Sequence, residues 1–143
     1  MLLFASAKNG EECSVTNVLI VEDEPILAMM AEDAVIELGF NVVGIAASRD
    51  DVPPFGSVNV ALVDCNLLDG PTGPDIGREL ASAGVTVVFL TANPEILGSG
   101  VPKALGVIAK PLLPLELATV IQFAVDSRNG TKAVAPDRFR SFV

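Results

Sequence analysis

The segment VALVDCN (residues 60–66) decides the fold of this chain: an unbroken apolar run closes on an aspartate, Asp64. Three other short apolar runs end in the same manner. VLIVEDE (18–24) closes on Glu22 and Asp23, VVFLTA (87–92) on Thr91, and VIAKP (107–111) on Lys110. Continuous apolar character over a few residues suits strands of a parallel sheet covered on both faces. Parallel strands point their C-terminal ends at one edge, and ligands bind in the crevice there. The expectation is therefore that Glu22, Asp23, Asp64, Thr91 and Lys110 converge. Three carboxylates, a hydroxyl and an ammonium are poor core material but suit a cation and a phosphoryl group.

Between these runs the periodicity switches from two to 3.6, which marks alternating strands and helices. Glu24-Pro25 opens a helical stretch, with Ile26, Leu27, Met30, Ala34, Val35 and Leu38 expected on its buried side. Proline suits the first helical turn, where its missing N–H costs nothing. A second strand at 40–47 follows. The next stretch holds Pro53 and Pro54, so a helix there must be short or distorted. A Gly/Pro-rich loop after Asp64 leads to a helix near 74–82 and a strand at 85–91. Residues 93–105 are the weakest helix candidate, because Gly98, Gly100 and Pro102 oppose one. After a short strand at 106–109 comes a last helix at about 114–127, with Leu115, Leu117, Ala118, Ile121 and Val125 as its expected buried side. The layout reads as (βα)5, with extensions at 1–16 and 129–143 expected to be loosely held and the latter flexible.

Composition bounds the function. A chain of 143 residues, half of them hydrophobic, has the size of one well-cored domain. No run approaches the roughly 18–20 apolar residues of a membrane span, and the opening MLLFASA lacks the basic flank of a secretory signal. Two cysteines, Cys13 and Cys65, give no disulfide framework, so a cytoplasmic location is expected. Residues 1–127 carry five basic and seventeen acidic side chains, which argues against direct nucleic-acid binding, since phosphate contacts need basic groups. Arg128, Lys132, Arg138 and Arg140 form a short basic tail. Histidine is absent. That excludes Ser-His-Asp and Cys-His nucleophile activation and histidine-ligated zinc, and any phosphohistidine donor must belong to another molecule.

From about residue 17 to 128 the chain resembles the receiver domain of bacterial two-component response regulators. VLIVEDEP, LVDCNLLDGPTG, FLTA and the AKP tripeptide carry the likeness, and their order and spacing are more specific than any one of them. The resemblance implies a flavodoxin-like three-layer α/β sandwich with a parallel five-stranded sheet of order 2-1-3-4-5. It implies that Asp64 accepts a phosphoryl group from a histidine kinase or histidine phosphotransfer protein in a Mg2+-dependent reaction. Glu22, Asp23, Asp64 and the backbone carbonyl of Asn66 would form the metal shell. Thr91 and Lys110 would engage phosphoryl oxygens, and a cis peptide often joins this lysine to its proline. Such a protein catalyses its own phosphorylation and slow dephosphorylation but is not a conventional enzyme. Each role has a physical basis. A carboxylate is a nucleophile without a general base because it is already ionised. Crowded carboxylates repel unless a cation intervenes, and Mg2+ favours hard oxygen ligands.

Two departures stand out. Many receivers carry an aromatic residue three positions before the lysine; here that residue is Val107, so switching must use another element. The expected substitute is the 93–105 segment, mobile without phosphate and partly ordered with it. The loop DCNLLDGPTG, together with FLTANPE, resembles a receiver subclass whose strand-four motif reads Phe-Ala-Thr-Gly, where this chain reads FLTAN. The second departure is that about fifteen residues remain beyond the last helix, too few for an output domain, so none is expected after residue 128. Output is thus expected through contact with an unidentified downstream protein, with a phosphate shuttle, a kinase sink or an unphosphorylated pseudo-receiver as alternatives. Two other classes fit poorly. An aspartyl-phosphate phosphatase of the haloacid-dehalogenase kind needs an aspartate where Asn66 stands. A flavodoxin-like FMN module needs a hydroxyl-rich loop after strand one and flanking aromatics, where this chain has VEDEP and no Trp or Tyr.

Overall fold

The computed structural model describes residues 15–142. Five parallel strands, β1 (Asn17–Val21), β2 (Asn41–Ala46), β3 (Val60–Val63), β4 (Thr86–Thr91) and β5 (Gly106–Ala109), stand in the order β2-β1-β3-β4-β5. This is the flavodoxin-like arrangement. A sixth strand, β6 (Arg140–Ser141), adds antiparallel to β5 and extends the sheet at that edge.

The strands bury both faces, as their continuous apolar character requires, and alternate residues feed two cores. Val18, Ile20, Val60, Leu62, Val88, Leu90 and Ile108 point to the layer containing α1 (Pro25–Glu37) and α3 (Pro114–Asn129). Leu19, Val21, Ala61, Val63, Val87, Phe89 and Val107 point to the layer containing α2 (Gly73–Ser82). Period-two alternation divides a uniformly hydrophobic strand between two opposite cores. Burial of these side chains, each worth roughly 1.5–3 kcal/mol, is the main term holding the sandwich together.

Only two of the four crossings between the parallel strands carry an α-helix, and α3 follows β5. Between β2 and β3 the chain makes two short 3₁₀ turns, Arg49–Asp51 and Phe55–Ser57, on either side of Pro53 and Pro54. Between β4 and β5 it makes one, Pro94–Leu97, after which Gly98, Lys103 and Gly100 all take positive φ. The helix-opposing residues at 98–102 decide this outcome. Leu97, Val101 and Ala104 nevertheless reach the core from this irregular segment.

Two helical residues expected to be buried are not. Ile26 at the start of α1 is 73% exposed and Leu115 at the start of α3 is 79% exposed. Both lie in first turns that overhang the end of the sheet, where no opposite layer exists to receive them. Ala28 and Ala31 take the place expected for Ile26 on α1, and Val120 and Ala124 complete the buried side of α3.

The C-terminal segment is more closely held than the expectation of a loose tail. Phe139 packs edge-on to Phe123 of α3, with ring centroids 4.9 Å apart. Phe142 reaches the opposite core, 6.3 Å from Phe89, and its amide donates to the Leu105 carbonyl at 3.1 Å. Two glycines make room. A methyl group at Gly106 would lie 2.3 Å from the Phe139 ring and the Arg140 carbonyl, and one at Gly100 would lie 2.9 Å from the Phe142 ring. The expected N-terminal extension, residues 1–16, falls almost wholly outside the described residues.

Candidate functional site

Each site residue is held by the ladder that ends beside it. The Glu22 amide donates to the Ala46 carbonyl, the Asp64 amide to Val21 and the Lys110 amide to Thr91, each at 2.9 Å. Strands β1, β3, β4 and β5 therefore end in step, and five predicted residues gather at one edge. Glu22, Asp64 and Thr91 are buried. Glu22, Asp23 and Asp64 each offer a carboxylate oxygen within 4.8 Å of the others.

The Lys110 ammonium sits among these acids. It donates to Glu22 Oε1 at 2.8 Å and Asp64 Oδ2 at 3.0 Å, and reaches Glu24 Oε1 at 3.5 Å. The Lys110-Pro111 peptide is cis. Thr91 Oγ1 accepts from the Asn93 amide at 3.1 Å. Asn66 lies exposed, two residues beyond Asp64, at the start of a turn closed by reciprocal hydrogen bonds between Leu67 and Gly70. Gly70 takes φ +104° in that turn. Gly73 is required for a different reason: a methyl group there would lie 1.9 Å from the Asp64 carbonyl oxygen. The first turn of α2 is packed directly on the backbone that presents Asp64.

Electrostatics follows from burial. Desolvation pushes the Glu22 carboxyl up to about 7, against the opposing pull of Lys110 and with a smaller push from Asp64. Burial works against the Lys110 ammonium too, but hydrogen bonds to Glu22 and Asp64 outweigh it and raise its pKa. The Cys65 thiol, buried beside the site and hydrogen-bonded to Thr91, is pushed up to about 11, chiefly by desolvation. Cys65 is thus an inert packing residue at neutral pH.

Sequence reasoning missed two features. Glu24, read as a helix-entry residue, brings another carboxylate to Lys110. Beside the acids lies an apolar hollow of about 420 Å3 between α1 and the start of α3, lined by Leu27, Met30, Leu62, Leu90, Leu112 and Leu117 among others, with Glu22, Asp64 and Lys110 on its wall. The exposed Ile26, Met29, Leu113 and Leu115 belong to these same two elements. Strand-end motifs carry no signal for a surface assembled from two helices.

No protein-family model matches the chain. It is 38% identical over 116 residues to the phyllosphere-induced regulator PhyR of Methylorubrum extorquens, an alignment covering 77% of this chain and 43% of that protein. Among solved structures, the PhyR response-regulator receiver domain of Erythrobacter litoralis aligns with a TM-score of 0.70 and 33% identity, over 86% of this chain and 99% of that one. The anti-anti-sigma factor PhyR of Bartonella quintana aligns with a TM-score of 0.65 and 30% identity, over 82% of this chain and 50% of that one. The chain belongs to the response-regulator receiver family, in the branch that includes PhyR. It is accordingly a signalling regulator rather than a conventional enzyme, and it spans less than half the length of the curated relative. Among the described residues, no helix is long and apolar enough to cross a membrane.

Proposed function

We propose that the chain is a phosphoacceptor of a two-component phosphorelay that takes a phosphoryl group on Asp64 and signals by protein–protein contact. The observation that carries this reading is the convergence of Glu22, Asp23 and Asp64 within 4.8 Å beside the Lys110 ammonium. The donor set fits Mg2+: hard carboxylate oxygens at one open edge, with the Asn66 carbonyl as a fourth candidate ligand. Bound there, Mg2+ would neutralise charge on the transferring group and on the crowded carboxylates.

The chain's own residues supply the rest. An Asp64 carboxylate oxygen attacks phosphorus, the P–N bond of the donor phosphohistidine breaks, and the imidazole leaves with that electron pair and takes up a proton. Lys110 lies 3.0 Å from Asp64 at rest and would turn from it onto a phosphoryl oxygen. The Thr91 hydroxyl, which accepts from the Asn93 amide at rest, would turn to donate to another. Ala92 is small and leaves the approach to Asp64 open, and the apolar hollow between α1 and α3 offers a surface beside it for the donor protein.

A histidine kinase or histidine phosphotransfer protein is the expected donor. The downstream partner is a protein. The Bartonella relative's designation as an anti-anti-sigma factor points to an antagonist of a sigma factor as the class to try first. The test is incubation with Mg2+ and an acyl-phosphate donor, followed by intact mass. An added phosphate that is labile to hydroxylamine and absent in Asp64→Asn is expected. An adduct that survives this substitution would place the acceptor elsewhere.

A further inference from the structure

The C-terminal segment touches the backbone one residue beyond one, and three residues beyond the other, of the two side chains assigned to phosphoryl oxygens. Arg138 Nη2 donates to the Pro111 carbonyl at 3.0 Å, one residue past Lys110. Its guanidinium also makes a two-point ion pair with Glu116 at the start of α3, both bonds at 2.8 Å. Arg140 Nη2 lies 3.5 Å from the Pro94 carbonyl, three residues past Thr91. Between these anchors β6 pairs Arg140 with Val107 and Ser141 with Gly106. Phe139 and Phe142, an odd number of positions apart, fall on opposite faces of the sheet and grip its edge from both sides. Gly100 and Gly106 supply the space both rings need. The slots and the residues filling them match in position, size and charge.

We propose that residues 138–142 are a releasable strap that closes the β5 edge at rest and is loosened when Asp64 is phosphorylated. The proposal rests on the phosphoacceptor reading above. Its physical core is that Thr91 and Lys110 must reorient toward phosphoryl oxygens, carrying the chain at Pro94 and Pro111 with them. Hydrogen bonds weaken steeply with displacement and misalignment, so both arginine anchors are lost or strained together. The short ladder to β5, the Glu116 ion pair and the aromatic grip then hold the strap against the entropy of a chain end. This assigns a switching element to a chain that has Val107 where an inward-turning aromatic would otherwise serve. Release uncovers the edge of β5 and two aromatic-sized slots on its opposite faces, a surface that fits an extended segment with aromatic residues three positions apart.

The test uses the full chain with Mg2+ and beryllium fluoride as the phosphoryl mimic, reading adduct formation from resonances around Asp64 and strap docking from amide exchange at Phe142. An adduct with exchange at least about tenfold faster is expected, since the loss of even one charge-assisted hydrogen bond has that effect. Thermodynamic reciprocity requires that Arg138→Ala/Arg140→Ala, which touches none of the acceptor residues, bind beryllium fluoride more tightly than wild type. An adduct with unchanged exchange, or a double variant of unchanged affinity, overturns the strap and leaves the phosphoacceptor reading standing. Absence of any adduct in wild type overturns that reading, and the strap with it.

Discussion

Lys110 Nζ lies 2.8 Å from Glu22 Oε1, and this pair, rather than the Lys110–Asp64 pair at 3.0 Å, makes the shortest contact of the acidic site. Both side chains are nearly withdrawn from water, and burial still dominates the carboxyl, whose pKa is pushed up to about 7. A raised acid favours the folded state in its protonated form. Its contribution is complete below the ordinary value of 4.5 and is lost as pH rises through about 7. A cation ligated by Glu22 must displace that proton. Magnesium affinity is therefore expected to rise with pH up to about 7 and to level off above, with proton release on binding that fades by about pH 8.5. Calorimetry in buffers of differing ionisation enthalpy reads this directly, and Glu22→Gln should abolish the release.

The close approach of α2 to the acceptor strand gives a stability prediction. Gly73→Ala places a methyl group 1.9 Å from the Asp64 carbonyl oxygen, a backbone atom that no side-chain rotation can move aside. A loss of about 2–3 kcal/mol is expected in urea denaturation, at the upper end of overpacking costs. Gly77→Ala meets the Phe89 ring at 2.3 Å and should also destabilise. The two differ in where the strain goes: Gly73→Ala should displace Asp64 and weaken magnesium binding, while Gly77→Ala should leave it intact.

The strands and the site edge are legible in the sequence because both are written locally. Each apolar run is short, bounded and closed by one chemically distinct residue, so strand identity and site membership come from the same seven or so positions. Glu22, Asp23, Asp64, Thr91 and Lys110 meet as that logic requires. Contacts that depend on distant sequence are not legible. Phe139 and Phe142 sit among Arg and Ser with no strand period, and nothing near them announces that Gly106 and Gly100 leave space for their rings. Helix periodicity likewise places Ile26 and Leu115 on an apolar side without showing that this side runs past the end of the sheet.

The strap's ion pair has its own pH signature. The Arg138 guanidinium holds the Glu116 carboxyl below its ordinary range. A depressed acid contributes stability above its unfolded pKa and loses it as pH falls, so strap docking should weaken below the ordinary glutamate value of 4.5. Amide exchange at residues 139–142, corrected for its intrinsic pH dependence, is expected to rise there relative to the core strands. Glu116→Gln should remove this acid response while the aromatic grip persists. An unchanged acid response in that variant would assign it to other carboxylates.

Four carboxylates at one ammonium, the Glu22, Asp23 and Asp64 cluster with Glu24 beside Lys110, are an arrangement selected for something other than stability. Glu22, Asp23 and Asp64 repel one another, and Lys110 supplies a single positive charge against them. Replacing Asp64 by its neutral isostere removes a charge from the crowd while Lys110 keeps its contact with Glu22. In metal-free buffer Asp64→Asn is therefore expected to be more stable than wild type, by about 1 kcal/mol, the usual scale when an active-site conflict is relieved. Magnesium should reverse the order. It stabilises wild type in proportion to its occupancy and has one fewer carboxylate to bind in the variant. Paired urea melts with chelator and with saturating Mg2+ measure both effects, and the crossing of the two series distinguishes a charge-strained cation site from acids that merely lie close together.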